Sequence, residues 1–299
     1  VTQPPAASDD PVSNGPPSSD GPPALRVAVV GAGGRMGVEV CRAVAAATDL
    51  DLVAAVDPAQ AGRTVAAIAS GPGADLGAAG EVLVVGDLDA AADAGAAVVV
   101  DFTAAAAARR TLAWCARRQV DVVVGTTGLG DEDLDLVRRS YPANGTAGCV
   151  VAPNFAIGAV LMMRFAELAA PWFETAEIIE LHHDEKRDAP SGTALLTARR
   201  MGAARHAAGA GDWGEDPTRT EIVTGARGGV GPGGLHLHSV RLRGLVAHQE
   251  VLLGTAGEGL TIRHDSYERT SFMPGVLLAV RAVGGRPGLT VGLDALLGI

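Results

Sequence analysis

The chain has 299 residues, 47% of them hydrophobic, 19% charged and only 3% aromatic, with a formal net charge of −10. That length allows two modest domains or one large α/β domain, and the composition is globular. The negative charge argues against a nucleic-acid surface, which needs a basic field, although local basic residues can still hold a small anion.

Residues 1–24 are rich in Pro, Ser, Asp and Gly. They lack the basic start and apolar stretch of a secretory signal and read as a disordered tail. Leu25 to Val30 is then a short apolar run that stops at glycine. It leads into Gly31-Ala32-Gly33-Gly34-Arg35-Met36-Gly37 and a helical pattern through Ala47, with Val38, Cys41, Val44 and Ala45 on one face. Glycines let a backbone approach a pyrophosphate, and the following helix aims its N-terminal amides at the charge. The spacing departs from G-x-G-x-x-G, because Met36 stands where the third glycine belongs and Gly37 comes one residue late. A glycine-rich tight turn without a ligand is therefore the alternative. Context favours a dinucleotide: Asp57 ends the next strand, Asp51 to Val56, 20 residues beyond Gly37, where a carboxylate accepts hydrogen bonds from a ribose. Asp57 followed by Pro58 favours NADH over NADPH, since a 2′-phosphate would bring like charges together. Arg35 can offset this, so use of both cofactors stays open.

Further apolar runs come at Val82 to Val85, Ala97 to Phe102, Val120 to Val124 and Cys149 to Val151, with helical stretches at Ala104 to Arg118 and Asp131 to Tyr141. The rhythm predicts βαβ units around a parallel sheet, with a core of Val, Leu, Ile and Ala. Ligands in such sheets sit at the carboxyl ends of strands. Asp101-Phe102-Thr103 and Gly125-Thr126-Thr127-Gly128 lie at two such ends, suited to a nicotinamide carboxamide with Phe102 against the ring; polar turns are the alternative.

From Phe155 the pattern changes. A helix at Ile157 to Ala170 and a strand at Ala176 to Leu181 precede a His-rich segment and a helix from Ser191 to about His206. Gly211 to Thr218 and Gly225 to Gly234 are loop-like, the second a candidate lid. His236 to Leu242, Leu245 to Leu253 and Leu260 to His264 read as antiparallel strands with turns at Arg243-Gly244 and Glu258-Gly259. A final helix, Phe272 to Val283, is apolar enough to return to the first half. The expected architecture is α/β: a Rossmann-type parallel-sheet dinucleotide domain over 25–153, completed by 265–299, and an α+β substrate and oligomerisation domain with a largely antiparallel sheet over 154–264. Its open sheet face is a candidate oligomer interface. The longest apolar stretch, Val150 to Met163, is too short for a membrane span and contains Pro153 and Asn154. Cys41, Cys115 and Cys149 form no C-x-x-C pair and read as buried thiols in a reducing cytoplasm.

Glu177 to Thr193 carries the densest chemistry. His182 and His183 are neighbours at a strand end, so they point to opposite sides and serve different ends. Lys186 is near enough to share a pocket. Ser191-Gly192-Thr193 follows Pro190 and opens a helix whose free amides suit a carboxylate. The construction fits a small carboxylated or dianionic substrate that needs protons delivered. Two alternatives stand beside it: a metal site, disfavoured because the consecutive residues His182 to Glu185 cannot easily converge on one ion, and a solvated charged loop.

The stretch E-I-I-E-L-H-H-D-E-K-R-D-A-P-S-G-T-A from Glu177 to Ala194 resembles the signature of the 4-hydroxy-tetrahydrodipicolinate reductase (dihydrodipicolinate reductase) family. Val29 to Gly37, Val124 to Gly128, Ala152 to Phe155, and the tract from His238–Gly244 to Arg269–Phe272 resemble it too, so the likeness spans Leu25 to the C-terminus. It implies that His182 is an acid/base, that Lys186 is a proton donor, and that His183, Ser191, Gly192 and Thr193 hold substrate carboxylates. It also implies a cofactor site at Gly31, Ala32, Gly33, Gly34, Arg35, Met36, Asp57, Gly125, Thr126, Thr127, Ala152, Pro153, Asn154 and Phe155. The implied reaction is hydride transfer from NADH or NADPH to a cyclic, imine-conjugated dicarboxylate with loss of water, in a cytoplasmic homotetramer without a metal. Two rivals are a dehydrogenase for another amino or keto acid, which would lack the long signature, and a redox-sensing Rossmann regulator, which would carry a basic nucleic-acid-binding domain.

Overall fold

The computed structural model describes residues 23–71 and 75–299. The expected tail therefore lies outside the described residues, save its last two positions.

Twelve strands and nine α-helices are found among the described residues. The first half runs β1 (Leu25–Val30), α1 (Arg35–Ala46), β2 (Leu50–Val56), α2 (Val65–Ile68), β3 (Val84–Val85), α3 (Asp89–Asp93), β4 (Val98–Asp101), α4 (Ala105–Arg118), β5 (Asp121–Val124), α5 (Asp131–Ser140) and β6 (Gly148–Val151). The second half runs α6 (Ile157–Ala169), β7 (Thr175–His182), α7 (Gly192–Ala207), β8 (Gly229–Val230), β9 (His236–Arg241), β10 (Ala247–Thr255), β11 (Glu258–Ser266), α8 (Met273–Val283), β12 (Gly288–Val291) and α9 (Asp294–Leu297).

A seven-stranded parallel sheet has the order β12-β6-β5-β4-β1-β2-β3. Its central strands read as unbroken apolar runs because both faces are covered. Along β1, Val27 and Val29 turn toward α1, α6 and α8, while Ala28 and Val30 turn toward α4 and α5. Burying each valine contributes roughly 1.5–3 kcal/mol relative to leaving it in water. The strand order reverses between β1 and β4, which opens a crevice at their carboxyl ends.

Gly31 follows β1 with φ +79°, and a Cβ there would collide with the Phe102 carbonyl and the Thr103 side chain. Gly37, the late glycine, lies where α1 crosses the loop: a Cβ would run into the Gly31 carbonyl and sit 2.9 Å from Ala32 Cα. It thus does the work of a third fingerprint glycine, letting helix and strand backbones touch.

The second sheet has the order β11-β10-β7-β9-β8. It is mixed, since β7 and β9 run parallel while the other pairs are antiparallel. Ile178, Val251, Leu253 and Leu237 pack from it against Ala166 of α6 and Ala194, Ala198 and Met201 of α7. Two expectations need correction. The β10–β11 hairpin turns at Ala256-Gly257, with Gly257 at φ +79°, so Glu258 and Gly259 already belong to β11, paired with Thr255 and Gly254. The segment from Gly225 to Gly234 is not wholly loop, because Gly229–Val230 pairs antiparallel with β9 at the sheet edge. The composition there gave no strand signal; the pairing comes from the neighbouring strand. β12 also went unread, being a short run after Pro287.

Candidate functional site

At the β1/β4 crevice, a cavity of about 720 Å³ is lined by Gly31, Gly34, Asp57, Asp87, Phe102 and Arg110, among others. Asp57 sits at the end of β2, where Oδ2 accepts from Gly33 N (2.9 Å) and Oδ1 from Ala59 N (3.0 Å). The carboxylate is thereby held against the glycine loop, with lone pairs left for a ribose. Phe102 forms one wall; its ring lies 5.6 Å from that of Phe155, and a Cβ on Gly125 would run into it. Gly125 is what allows the ring this close to β5.

The Thr126 hydroxyl is committed within the protein. It donates to Asp101 Oδ1 (2.8 Å) and accepts from Thr103 N (2.8 Å), and Thr103 Oγ1 donates to the same carboxylate oxygen (2.7 Å). Asp101, fully buried at the end of β4, therefore pins the two strand-end turns together. That leaves backbone groups of 125–127, rather than the Thr126 side chain, to meet a ligand.

The second cluster is built on β7. Alternation along the strand puts Glu180 and His182 on the face covered by α7, with Ile178. Glu180 is fully buried. Its Oε2 accepts from His182 Nδ1 (2.5 Å) and Arg241 Nη1 (3.0 Å), and its Oε1 from Arg241 Nη2 (2.8 Å) and Ser191 N (3.2 Å). Burial pushes this carboxyl upward, but the hydrogen bonds from His182, Arg241 and Ser239 outweigh it and hold the group down at about 2. Committing Nδ1 to Glu180 leaves Nε2 as the free ring atom of His182.

Lys186 lies in the loop after β7, and its Nζ donates to both carboxylate oxygens of Asp188 (2.8 Å each). The exposed Asp188 carboxyl is lowered chiefly by the Lys186 ammonium. Arg241 clasps this loop from behind, donating to Lys186 O (3.3 Å) and Asp188 O (2.7 Å). Ser191 is the N-cap of α7, its Oγ accepting from Ala194 N (3.2 Å). Its Oγ accepts within the cap and keeps its O–H as a donor, while Gly192 and Thr193 present first-turn amides that have no partner within the helix. A Cβ on Gly192 would meet open space, so that amide is approachable.

The two clusters are joined. Asn154, in the turn after β6, donates from Nδ2 to Thr193 Oγ1 (3.3 Å) and accepts at Oδ1 from Ala156 N (2.9 Å). A cavity of about 480 Å³ also opens between Gly33–Arg35 and Tyr267–Thr270. Another cavity, of about 750 Å³, lies where β7 begins at Thr175. That is seven residues and roughly 23 Å of strand from His182, too far to serve the same chemistry.

Sequence reasoning left Glu180 and Arg241 without a role, although both lie within the quoted segments. The Glu-x-His spacing on a strand, which puts both side chains on one face, was the available signal for Glu180. Arg241 is far along the chain and carried none.

The family models described as dihydrodipicolinate reductase, N-terminus and C-terminus, match residues 25–155 and 158–297. The 4-hydroxy-tetrahydrodipicolinate reductase of Cutibacterium acnes is 52% identical over 275 residues, covering 92% of this chain and 99% of that protein. That of Nocardia farcinica is 50% identical, covering 91% and 98%. The solved structure of dipicolinate-bound dihydrodipicolinate reductase from Paenisporosarcina sp. TG-14 superposes with a TM-score of 0.76 at 40% identity, covering 91% of this chain and 99% of that one.

Proposed function

We propose, from the premise that the chain belongs to the dihydrodipicolinate reductase family, that it reduces 4-hydroxy-tetrahydrodipicolinate to tetrahydrodipicolinate with loss of water, in lysine and diaminopimelate biosynthesis. The observation that carries this reading is the junction of the two clusters. Asn154, preceding the Phe155 that packs on Phe102 of the crevice, bonds Thr193 in the turn that opens α7, and the Ser191 amide of that turn bonds Glu180, the partner of His182.

The crevice fits a nicotinamide dinucleotide. Gly31 leaves no room for a Cβ, the glycine loop opens α1, and Asp57 is fixed at the ribose end of a cavity of suitable size. Residues Gly31 to Met36, Asp57, Phe102, Gly125 to Thr127 and Ala152 to Phe155 would hold it. When bound, the reduced nicotinamide supplies the hydride. Asp57 favours NADH, with NADPH as the second cofactor.

On the substrate side, the Ser191 hydroxyl and the Gly192 and Thr193 amides receive one carboxylate and His183 contacts the other. Hydride arrival at one carbon leaves its neighbour electron-rich and in need of a proton. Lys186, as an ammonium, is the proton donor, and His182 exchanges protons through Nε2. The same ammonium anchors the dianion electrostatically.

We further assign a homotetramer joined through the open face of the second sheet, and a cytoplasmic location consistent with three buried free thiols. Among the described residues no helix is long and apolar enough to cross a membrane. The segment from Gly225 to Gly234, which borders a cavity with Ala189 and Pro190, is assigned as a lid, although Arg227 ties it to Glu177 (2.6 Å). Hydrogen exchange in this segment unchanged by ligand would remove the lid.

The test generates the substrate in place from pyruvate and aspartate semialdehyde with the upstream synthase and follows NADH and NADPH consumption in parallel. Oxidation that depends on the synthase is expected. Binding of both cofactors without turnover would overturn the substrate assignment and leave only the fold.

A further inference from the structure

We propose that Glu180 and Arg241 are a positioning pair that holds three parts of the site in mutual register: the His182 ring, the Lys186 loop and the Ser191–Thr193 turn. The proposal rests on the reading of His182 and Lys186 as the proton-handling groups.

The hydrogen bonds form one connected device. From a single buried carboxylate, one link goes to the imidazole, two go to the guanidinium and one goes to the amide that starts α7. From the guanidinium, two more go to the backbone carbonyls that flank the Lys186–Asp188 ion pair. The groups facing Glu180 are His182 on its own strand, Arg241 and Ser239 on β9, the Ser191 amide at α7, and the uncharged Gln249 opposite it on β10. Gln249 itself bonds Thr197 (2.8 Å) and adds no charge.

A buried ion pair is a poor way to gain stability, because desolvation offsets most of the attraction and an apolar pair of the same volume usually serves as well. What this pair does provide is geometry. It fixes which nitrogen of His182 faces the substrate, and it prevents the loop carrying Lys186 from moving independently of the ring.

The test compares Glu180→Gln, the double variant Glu180→Gln/Arg241→Gln, and His182→Gln. The double variant leaves no uncompensated buried charge, which guards against loss of folding in the single one. Both Glu180 variants are expected to lower kcat about 10- to 100-fold, part of the cost of losing a general acid or base outright. Cofactor KM should stay unchanged, so that the loss falls on kcat rather than on nucleotide binding. A purely structural role would lower stability and cofactor affinity together rather than kcat alone. A folded Glu180 variant with wild-type kcat, alongside an impaired His182→Gln, overturns the proposal alone. Wild-type turnover in His182→Gln as well removes the proposal together with the reading it rests on.

Discussion

Gly37 packs directly over Gly31: a Cβ on Gly37 would overlap the Gly31 carbonyl oxygen and lie 2.7 Å from its carbonyl carbon. The obstacle is backbone rather than a movable side chain. Gly37→Ala should therefore push α1 off the glycine loop, costing about 1–3 kcal/mol of stability as over-packing does. It should also raise the cofactor KM, because the amides at the start of α1 lose their aim. Denaturant titration and cofactor binding check both effects, and a variant with wild-type stability would show that the helix can shift freely.

His182→Gln and Lys186→Ala are each expected to lower kcat by roughly a hundredfold or more, the span of a lost general acid or base. NADH affinity, measured by fluorescence titration, should be unaffected. Near-normal turnover in both would remove the assigned roles.

Stability should depend on pH through Glu180. Its carboxyl is held at about 2 in the folded protein against an ordinary value of 4.5. A depressed folded value means the stabilisation is complete above about pH 4.5 and is lost as pH falls toward 2. The size is on the order of 3 kcal/mol. Urea unfolding of wild type should weaken across that range by more than that of Glu180→Gln/Arg241→Gln, which lacks the carboxylate; parallel curves would contradict the assignment.

Asp57→Ala should raise the NADH KM about tenfold, the worth of a hydrogen bond to a charged group. Because Asp57 also holds Gly33 N, NADPH binding weakens too, so the diagnostic quantity is the ratio. The NADH/NADPH preference should shift toward NADPH as the negative charge facing a 2′-phosphate disappears. An unchanged ratio would mean that Asp57 does not select the cofactor.

Much of this was readable from the chain because the signals were local. β1, the glycine loop and α1 announce themselves by an apolar run, small residues and a 3.6-residue period, and His182 to Thr193 sits in one continuous segment. What escaped is what depends on partners distant in sequence. β8 and β12 are strands only because β9 and β6 offer edges to pair with. The Arg241–Glu180 contact spans 61 residues, and nothing near Arg241 names its partner. The commitment of the Thr126 hydroxyl has the same origin, since its partner Asp101 ends another strand.

The pairing of β12 with β6 has a consequence for biosynthesis. Gly148 meets Gly288 in register, and Met273, Val276, Ala279, Val280 and Val283 of α8 enter the core beneath the same sheet. On the ribosome, the nucleotide-binding half is therefore translated with a bare strand edge and an uncovered apolar face. It waits in that state until nearly the whole second half has emerged. A fragment ending at residue 155 would carry every glycine of the cofactor loop and still present a sticky, unfinished sheet. The first half can complete its sheet only after the second half has been made, so a ribosome that stalls late leaves an aggregation hazard rather than a finished sheet.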